Sequence, residues 1–194
     1  MESFKKFLPW IIVIVIVLWG ISVYNGMVSK DQVANEAWAN VESAYQRRMD
    51  LIPNLVNTVK GYANFEQETL TRVIEARASA TQVKIDPSNL TPEKLQEFQA
   101  AQTGVSSALG RLLVVAENYP DLKANQNFLD LQAQLEGTEN RINVARNRFN
   151  ETVKEFNTAI KRFPGNLIAG IGGFQPKGFF EAQDGAEKAP EVKF

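Results

Sequence analysis

From Phe7 to Tyr24 the chain reads FLPWIIVIVIVLWGISVY, without one charged side chain. At about 1.5 Å of rise per residue, such a helix crosses most of a hydrocarbon core about 30 Å thick. A helix apolar on every face does not suit the surface of a small soluble domain, so a transmembrane helix is expected over residues 7–24. Trp10 near one end and Trp19 or Tyr24 near the other suit the two membrane interfaces, and Pro9 is placed in the first turn, where its missing N–H costs nothing. A cleaved signal peptide competes with this reading, because Lys5 and Lys6 form a positive flank. No small-x-small cleavage site follows, however; the chain continues Ser22-Val23-Tyr24-Asn25, which favours a retained anchor. Lys5 and Lys6 outnumber Lys30, itself offset by Asp31 and Glu36, so the positive-inside rule puts the N-terminus in the cytoplasm and the following domain outside.

That domain is expected to be all-α. Phe128, Leu131, Leu135, Thr138, Ile142, Ala145, Phe149, Thr152, Phe156, Ala159 and Phe163 recur at alternating steps of three and four, with Val153 and Ile160 widening the stripe. This is a coiled-coil-like heptad pattern, with Glu136, Arg141, Arg148 and Lys154 on the other faces. Upstream, Thr91-Pro92 reads as a cap followed by a first-position proline, opening a helix with Phe98, Ala101, Val105, Ala108, Leu112 and Val115 on one face. It should stop near Asn118, because Tyr119 precedes Pro120. Gly61 resembles a C-cap, and Asn64 with Gln67 a capping box, so a tight turn is placed at Gly61 to Phe65. The rival break is Asp50 before Pro53, with Asp50 as the cap. The expected architecture is an antiparallel four-helix bundle with helices near 28–60, 65–83, 92–118 and 125–163. Lys84 to Leu90 is expected as a polar loop, and Tyr119-Pro120-Asp121 as a turn. The divisions are a flank over 1–6, the membrane helix over 7–24, the bundle over 25–163 and a tail over 164–194.

The tail sets Leu167, Ile168, Ile171, Phe174, Phe179 and Phe180 among Gly170, Gly172, Gly173 and Gly178. Glycine opposes helix formation, so the tail cannot hold a stable helix of its own and is expected to lie against the bundle, another subunit or the lipid surface, near the membrane. From Asp184 onward it turns polar and is expected to be mobile up to Val192.

Absent residues narrow the chemistry. The 194-residue chain has no Cys and no His, which removes thiolate nucleophiles and metal sites, the usual general base at neutral pH, and imidazole ligands. Its net charge of -1 lacks the basic excess that phosphate neutralisation requires, so nucleic acid is not an expected partner. A carboxylate cluster of Glu136 and Glu139 with Asp130 or Glu117 could hold only a hard cation, and ion pairing to Arg111 or Arg141 explains the same residues. Gly170-Ile171-Gly172-Gly173 lacks the preceding strand of a phosphate loop. No catalytic, cofactor-binding or metal-binding residue is nominated, and no cofactor is expected.

Several runs carry a resemblance: Arg48-Met49-Asp50-Leu51-Ile52-Pro53-Asn54-Leu55-Val56 with Val59-Lys60-Gly61-Tyr62 after it, Glu117-Asn118-Tyr119-Pro120-Asp121-Leu122-Lys123-Ala124-Asn125, Glu139-Asn140-Arg141-Ile142, Arg148-Phe149-Asn150, Phe163-Pro164 and Gly173-Phe174. Over nearly its whole length the sequence resembles the LemA family of bacterial membrane-anchored proteins. The resemblance implies a helix bundle on a single N-terminal membrane helix. It implies no reaction, and one branch of the family, associated with bacterial magnetosome membranes, points toward membrane organisation. The family's N-terminus has often been described as lying outside, and Lys5 and Lys6 argue the reverse here. The expected function is a non-enzymatic scaffold or interaction module in the cytoplasmic membrane of a bacterium. Its expected partners are the lipid bilayer, further copies of itself and other membrane proteins. The alternatives are a receptor-like domain binding a ligand between its helices, with Thr138 and Thr152 marking a cavity, or an enzyme built on carboxylates such as Glu139.

Overall fold

The first helix, α1, runs unbroken from Glu2 to Lys60. Its 59 residues make a rod about 88 Å long, so the apolar run passes into the domain with no linker between them. The computed structural model describes residues 2–61 and 66–181, with side chains from residue 7 onward. The helix begins upstream of the expected start, and Pro9 therefore lies inside it, not in its first turn.

Pro53 is the second interior proline, and α1 passes through it, so Asp50 caps nothing and instead accepts a hydrogen bond from Gln46 Nε2 at 2.7 Å. A proline at 53 cannot donate to the carbonyl of Met49, four residues back. Arg77 Nε takes that place, donating to Met49 O at 2.9 Å from the next helix. The backbone acceptor is satisfied and the helix need not break.

Gly61 follows α1 directly, and α2 spans Gln67–Gln82. The expected turn residues Tyr62 to Phe65, Asn64 among them, lie outside the described residues. Gln67 opens the helix and is not the third residue of a capping box; Glu66 holds the cap position, its carboxylate accepting from Thr69 Oγ1 at 2.7 Å. The loop after α2 is polar only in part. Asp86 accepts from Ser88 N at 2.8 Å and winds Pro87–Asn89 into a 3-10 turn, while Ile85 and Leu90 on either side are buried in the core.

Helix α3, Pro92–Ala116, starts where expected, with Thr91 accepting from Lys94 N at 3.4 Å. The expected turn at Tyr119-Pro120-Asp121 is one helical turn, α4 (Pro120–Lys123), which drives Leu122 into the core. Asn125 then caps α5, Gln126–Lys161, by accepting from Phe128 N at 3.1 Å.

The heptad stripe is the buried face of α5: Phe128, Leu135, Thr138, Ile142, Phe149 and Phe156 are buried, with Val153 and Ile160 beside them. Phe163 is the exception. The helix ends before it, and it is 76% exposed. Thr138 and Thr152 each donate back to their own helix, at Gln134 O and Phe149 O.

Lys30 meets Glu155 at 2.9 Å and Arg48 meets Glu139, so numbers rise along α1 as they fall along α5, and the two run antiparallel. The chain backbone of α5 lies along α1, and that of α3 along α2. The core is a series of three apolar clusters along the bundle, built from side chains of α1, α2, α3 and α5 and of the tail. Its distal part is aliphatic, around Ile52, Leu55, Leu70, Val105 and Leu112. Its middle is aromatic: Trp38 sits 5.2 Å from Phe98, 5.6 Å from Phe149 and 6.0 Å from Phe180, ring centre to ring centre. No strand occurs among the described residues.

The tail lies against the bundle, one of the surfaces expected for it. Glycines notwithstanding, Gly165–Gly172 forms a helix, α6, closed by Gly173 in the left-handed conformation at φ 72°. It forms because it is packed against α1 and α5 through Ala169 and its neighbours Val23 and Met27, and burial outweighs propensity.

Candidate functional site

After Gly173 the chain becomes an extended strap that climbs the bundle from Phe174 to Glu181. Two asparagines on α5 hold it by its backbone. Asn157 donates to Lys177 O at 2.8 Å and accepts from Lys177 N at 2.9 Å; Asn150 does the same with Phe180, both at 2.9 Å. The spacing explains itself. Two helical turns separate the asparagines by about 10.5 Å, and three extended residues cover about 10 Å.

Side chains fix the register. Lys177 is 8% exposed, and its ammonium lies 3.1 Å from Asp31, 3.0 Å from Asn35 Oδ1 and 3.2 Å from Pro87 O, over the ring of Phe156. Phe180 completes the aromatic core. Between them, Gly178 passes so close to α3 that a Cβ there would stand 2.8 Å from Pro92 Cα. Gly178→Val should therefore lift the strap off the bundle. We expect protease cleavage after Lys177 to accelerate and thermal unfolding to fall by several degrees, because Phe180 loses its seat; unchanged cleavage would mean the strap tolerates displacement.

At Glu181, the last described residue of the strap, the bundle surface carries a groove. Gln99 and Arg146 both donate to Glu181 O, and a cleft of about 670 Å³ lies between residues of α3 and α5. Its walls are Leu109, Gly110 and Leu113 from α3, and Gln132, Leu135, Glu136, Asn143 and Asn147 from α5.

A buried cation lies beneath the groove. Arg48 is 1% exposed, and its guanidinium donates to Glu139 Oε1 at 2.5 Å, Ser106 Oγ at 2.7 Å, Gln102 Oε1 at 2.7 Å and Gln102 O at 3.1 Å. This one side chain ties α1 to both walls. Tyr45 lies against it, the guanidinium carbon 5.1 Å from the ring centre; burial pushes the Tyr45 phenol above its usual pKa, against the pull of Arg146 and Arg48. Glu139 was expected to pair with Arg111 or Arg141, but its partner is Arg48, on a helix 91 residues away in sequence. Its carboxylate is thereby committed to an ion pair. Glu136 lies on the groove wall, and among the described residues no group of three Asp or Glu converges as a metal site. Gly170 to Gly173 belong to the end of α6 and its cap, with no strand before them.

Sequence reasoning met Arg48 and Asn150 only as members of family-like runs, without a role, and missed Lys177 and Asn157. One local signal was available: two asparagines seven residues apart, adjoining the apolar stripe of α5, where a polar pair needs partners.

The LemA family matches residues 37–194, from the middle of α1 through the groove and strap to the last residue. The chain is similar to Protein LemA of Metamycoplasma hominis, 27% identical over 118 residues, covering 61% of this chain and 50% of that protein. It is also similar to Magnetosome protein MamQ 2 of Paramagnetospirillum magneticum, 24% identical over 175 residues, and to Magnetosome protein MamQ of Magnetospirillum gryphiswaldense, 25% identical over 174. Each of those alignments covers 81% of this chain and 64% of the relative, so the chain spans between half and just under two thirds of these proteins' lengths. The matched region contains the Arg48 ion pair, both groove walls and the strap, and on that extent the chain belongs to the LemA family.

Proposed function

We propose that this chain is a non-enzymatic, single-pass membrane module whose groove between α3 and α5 receives a segment of another membrane-borne chain, a further copy of itself included. In this reading α1, α2, α3 and α5 form an antiparallel four-helix bundle standing on the membrane, rigidly continuous with its anchor. The groove is the observation that carries the proposal. It is open, it is walled by leucines, amides and charged side chains such as Glu136 and Arg146, and the surrounding structure is tied down by Arg48 and the strap, so a partner would meet a preformed surface. The anchor reading is supported by the exposure of every residue from Phe7 to Leu18, an apolar span that nothing in the domain covers. The names of the magnetosome relatives are compatible with a place in membrane organisation.

Gly110 offers a clean test. No atom lies within 4 Å of where its Cβ would be, so Gly110→Trp fits the fold and fills the groove. Replacing a helical glycine should leave stability unchanged or raise it by about 0.5 kcal/mol. The expected result is that the wild-type chain isolates in gentle detergent as a particle larger than one copy, and that Gly110→Trp does not while its thermal unfolding is unaltered. A wild-type particle from Gly110→Trp would place association elsewhere.

A second reading has one observation in its favour: a cleft of about 670 Å³ falls in the range of small-molecule sites. A small molecule that raises the unfolding temperature saturably, and fails to do so in Gly110→Trp, would favour it.

In the same reading the bundle lies on the extracytoplasmic side, which the positive flank of Lys5 and Lys6 supports. Ser88 is exposed and the chain has no cysteine, so Ser88→Cys gives a single reporter. It should react with a membrane-impermeant thiol reagent in cells whose outer barrier alone is permeabilised. Reaction only after lysis of the inner membrane would reverse the topology.

A further inference from the structure

We propose that α6 is a second membrane contact, a short helix lying in the interface beside the anchor with Phe163, Leu167 and Ile171 in the lipid. This rests on the reading of α1 as a membrane span and adds to it a second, non-spanning element.

Three observations converge on the lipid surface as the partner. The first is position. Helix α6 packs at the level of the last turns of the apolar run: a Cβ at Gly20 would be 3.6 Å from Ile168 Cδ1, the Phe174 ring lies 5.4 Å from that of Tyr24, and Met27 is buried with Ala169. Whatever medium surrounds Trp19 to Tyr24 on α1 also surrounds α6.

The second is the face left uncovered. Ile168 and Ala169 turn toward α1, while Leu167 and Ile171, one turn apart, are 59% and 87% exposed, and Phe163 just before them is 76% exposed. These side chains continue the uncovered surface of α1, where Trp19 and Ile21 are also exposed. In water this would be an apolar patch without cover; at a bilayer it is a continuous lipid-facing surface.

The third is charge. From Phe163 to Pro176 the chain carries no charged residue, and this stretch is bracketed by Lys161 and Arg162 on one side and Lys177 on the other. Lys161 and Arg162 are exposed, at the height where headgroup phosphates would meet them. Eight residues of helix measure about 12 Å, far short of the roughly 30 Å needed to cross, so α6 lies in the interface and does not span.

Because the chain lacks cysteine, single substitutions report cleanly. The full chain is reconstituted in vesicles of phosphatidylcholine and phosphatidylglycerol, with an environment-sensitive fluorophore on Ile171→Cys, on Ile14→Cys in the anchor, or on Val144→Cys, an exposed site on α5. All three sites are exposed, so the label does not test folding. Quenching is read with lipid nitroxides placed near the headgroup or at the acyl-chain end. The expected result is a blue-shifted Ile171 label that loses most of its emission to the headgroup-side nitroxide and less to the chain-end one. The Ile14 label should be quenched more by the chain-end nitroxide, and the Val144 label by neither. An Ile171 label that behaves like the one at Val144, with Ile14 still quenched, overturns the proposal and leaves the anchor standing. A blue-shifted Ile171 label that no lipid nitroxide quenches, and that reddens on dilution with unlabelled lipid, puts a second copy on this face and also overturns it. If the Ile14 label is unquenched, the anchor reading fails together with the proposal.

Discussion

Phe149→Asp should abolish the cooperative unfolding transition of the bundle. Phe149 is fully buried at the centre of the aromatic core, its ring 5.6 Å from Trp38 and 5.5 Å from Phe180. Truncating a buried aromatic costs about 3–5 kcal/mol, and an unpaired carboxylate in its place adds several more, against a total stability of about 5–15 kcal/mol for an ordinary domain. Because the apolar N-terminal part of α1 keeps its own helicity, the informative signal is near-ultraviolet circular dichroism from Trp38, which should disappear. Phe179→Asp is the control: its neighbour Phe180 is buried, but Phe179 is 43% exposed and should tolerate the charge with little change in unfolding temperature. A native transition in Phe149→Asp would mean that the stripe of α5 is not core.

The second large effect is an asymmetry at the Arg48–Glu139 pair. Arg48 is fully buried, whereas the Glu139 side chain is 43% exposed. Glu139→Leu strands a buried guanidinium on the neutral acceptors Ser106 and Gln102, and should cost about 3–5 kcal/mol. Arg48→Met leaves a carboxylate that can turn to water, so the loss is smaller, about 1–3 kcal/mol, mostly from unmet Gln102 and Ser106. The double variant Arg48→Met, Glu139→Leu should recover much of the loss of Glu139→Leu, since no buried charge remains. Chemical unfolding of the four proteins gives the cycle. A double variant as unstable as the sum of the singles would show that the pair does not act as a unit.

These two sites differ in how far local sequence reveals them. Phe149 sits in a periodic pattern that any amphipathic helix must show, and the breaks at Gly61 and Thr91 follow from backbone chemistry within a few residues. Arg48 carries no such local mark. Proximity in sequence suggests Arg141 for Glu139, but helix packing supplies a partner from α1, and only the fold decides that. Pro53 misleads for the same reason: locally it argues for a break, yet Arg77 from α2 takes over the carbonyl that the proline leaves open. In the tail, glycine content argues against a helix, and α6 forms because Met27, Val23 and Ala159 offer it a surface. The strap is the least legible of all, because an extended segment writes no periodicity, and its position is set by Asn150 and Asn157 on another element.

The claim that the groove between α3 and α5 is where another chain docks can be tested where it would occur. A photo-crosslinking residue is placed at Leu113, on the α3 wall, in the membrane-embedded full chain, with Ile74 on the exposed side of α2 as the comparison. On irradiation, position 113 should yield discrete higher-mass adducts, at least some of them to a second copy or an integral membrane protein, and Gly110→Trp in the same chain should abolish them. Adducts that form equally from position 74, or that persist when the Gly110→Trp indole fills the groove, would contradict the account.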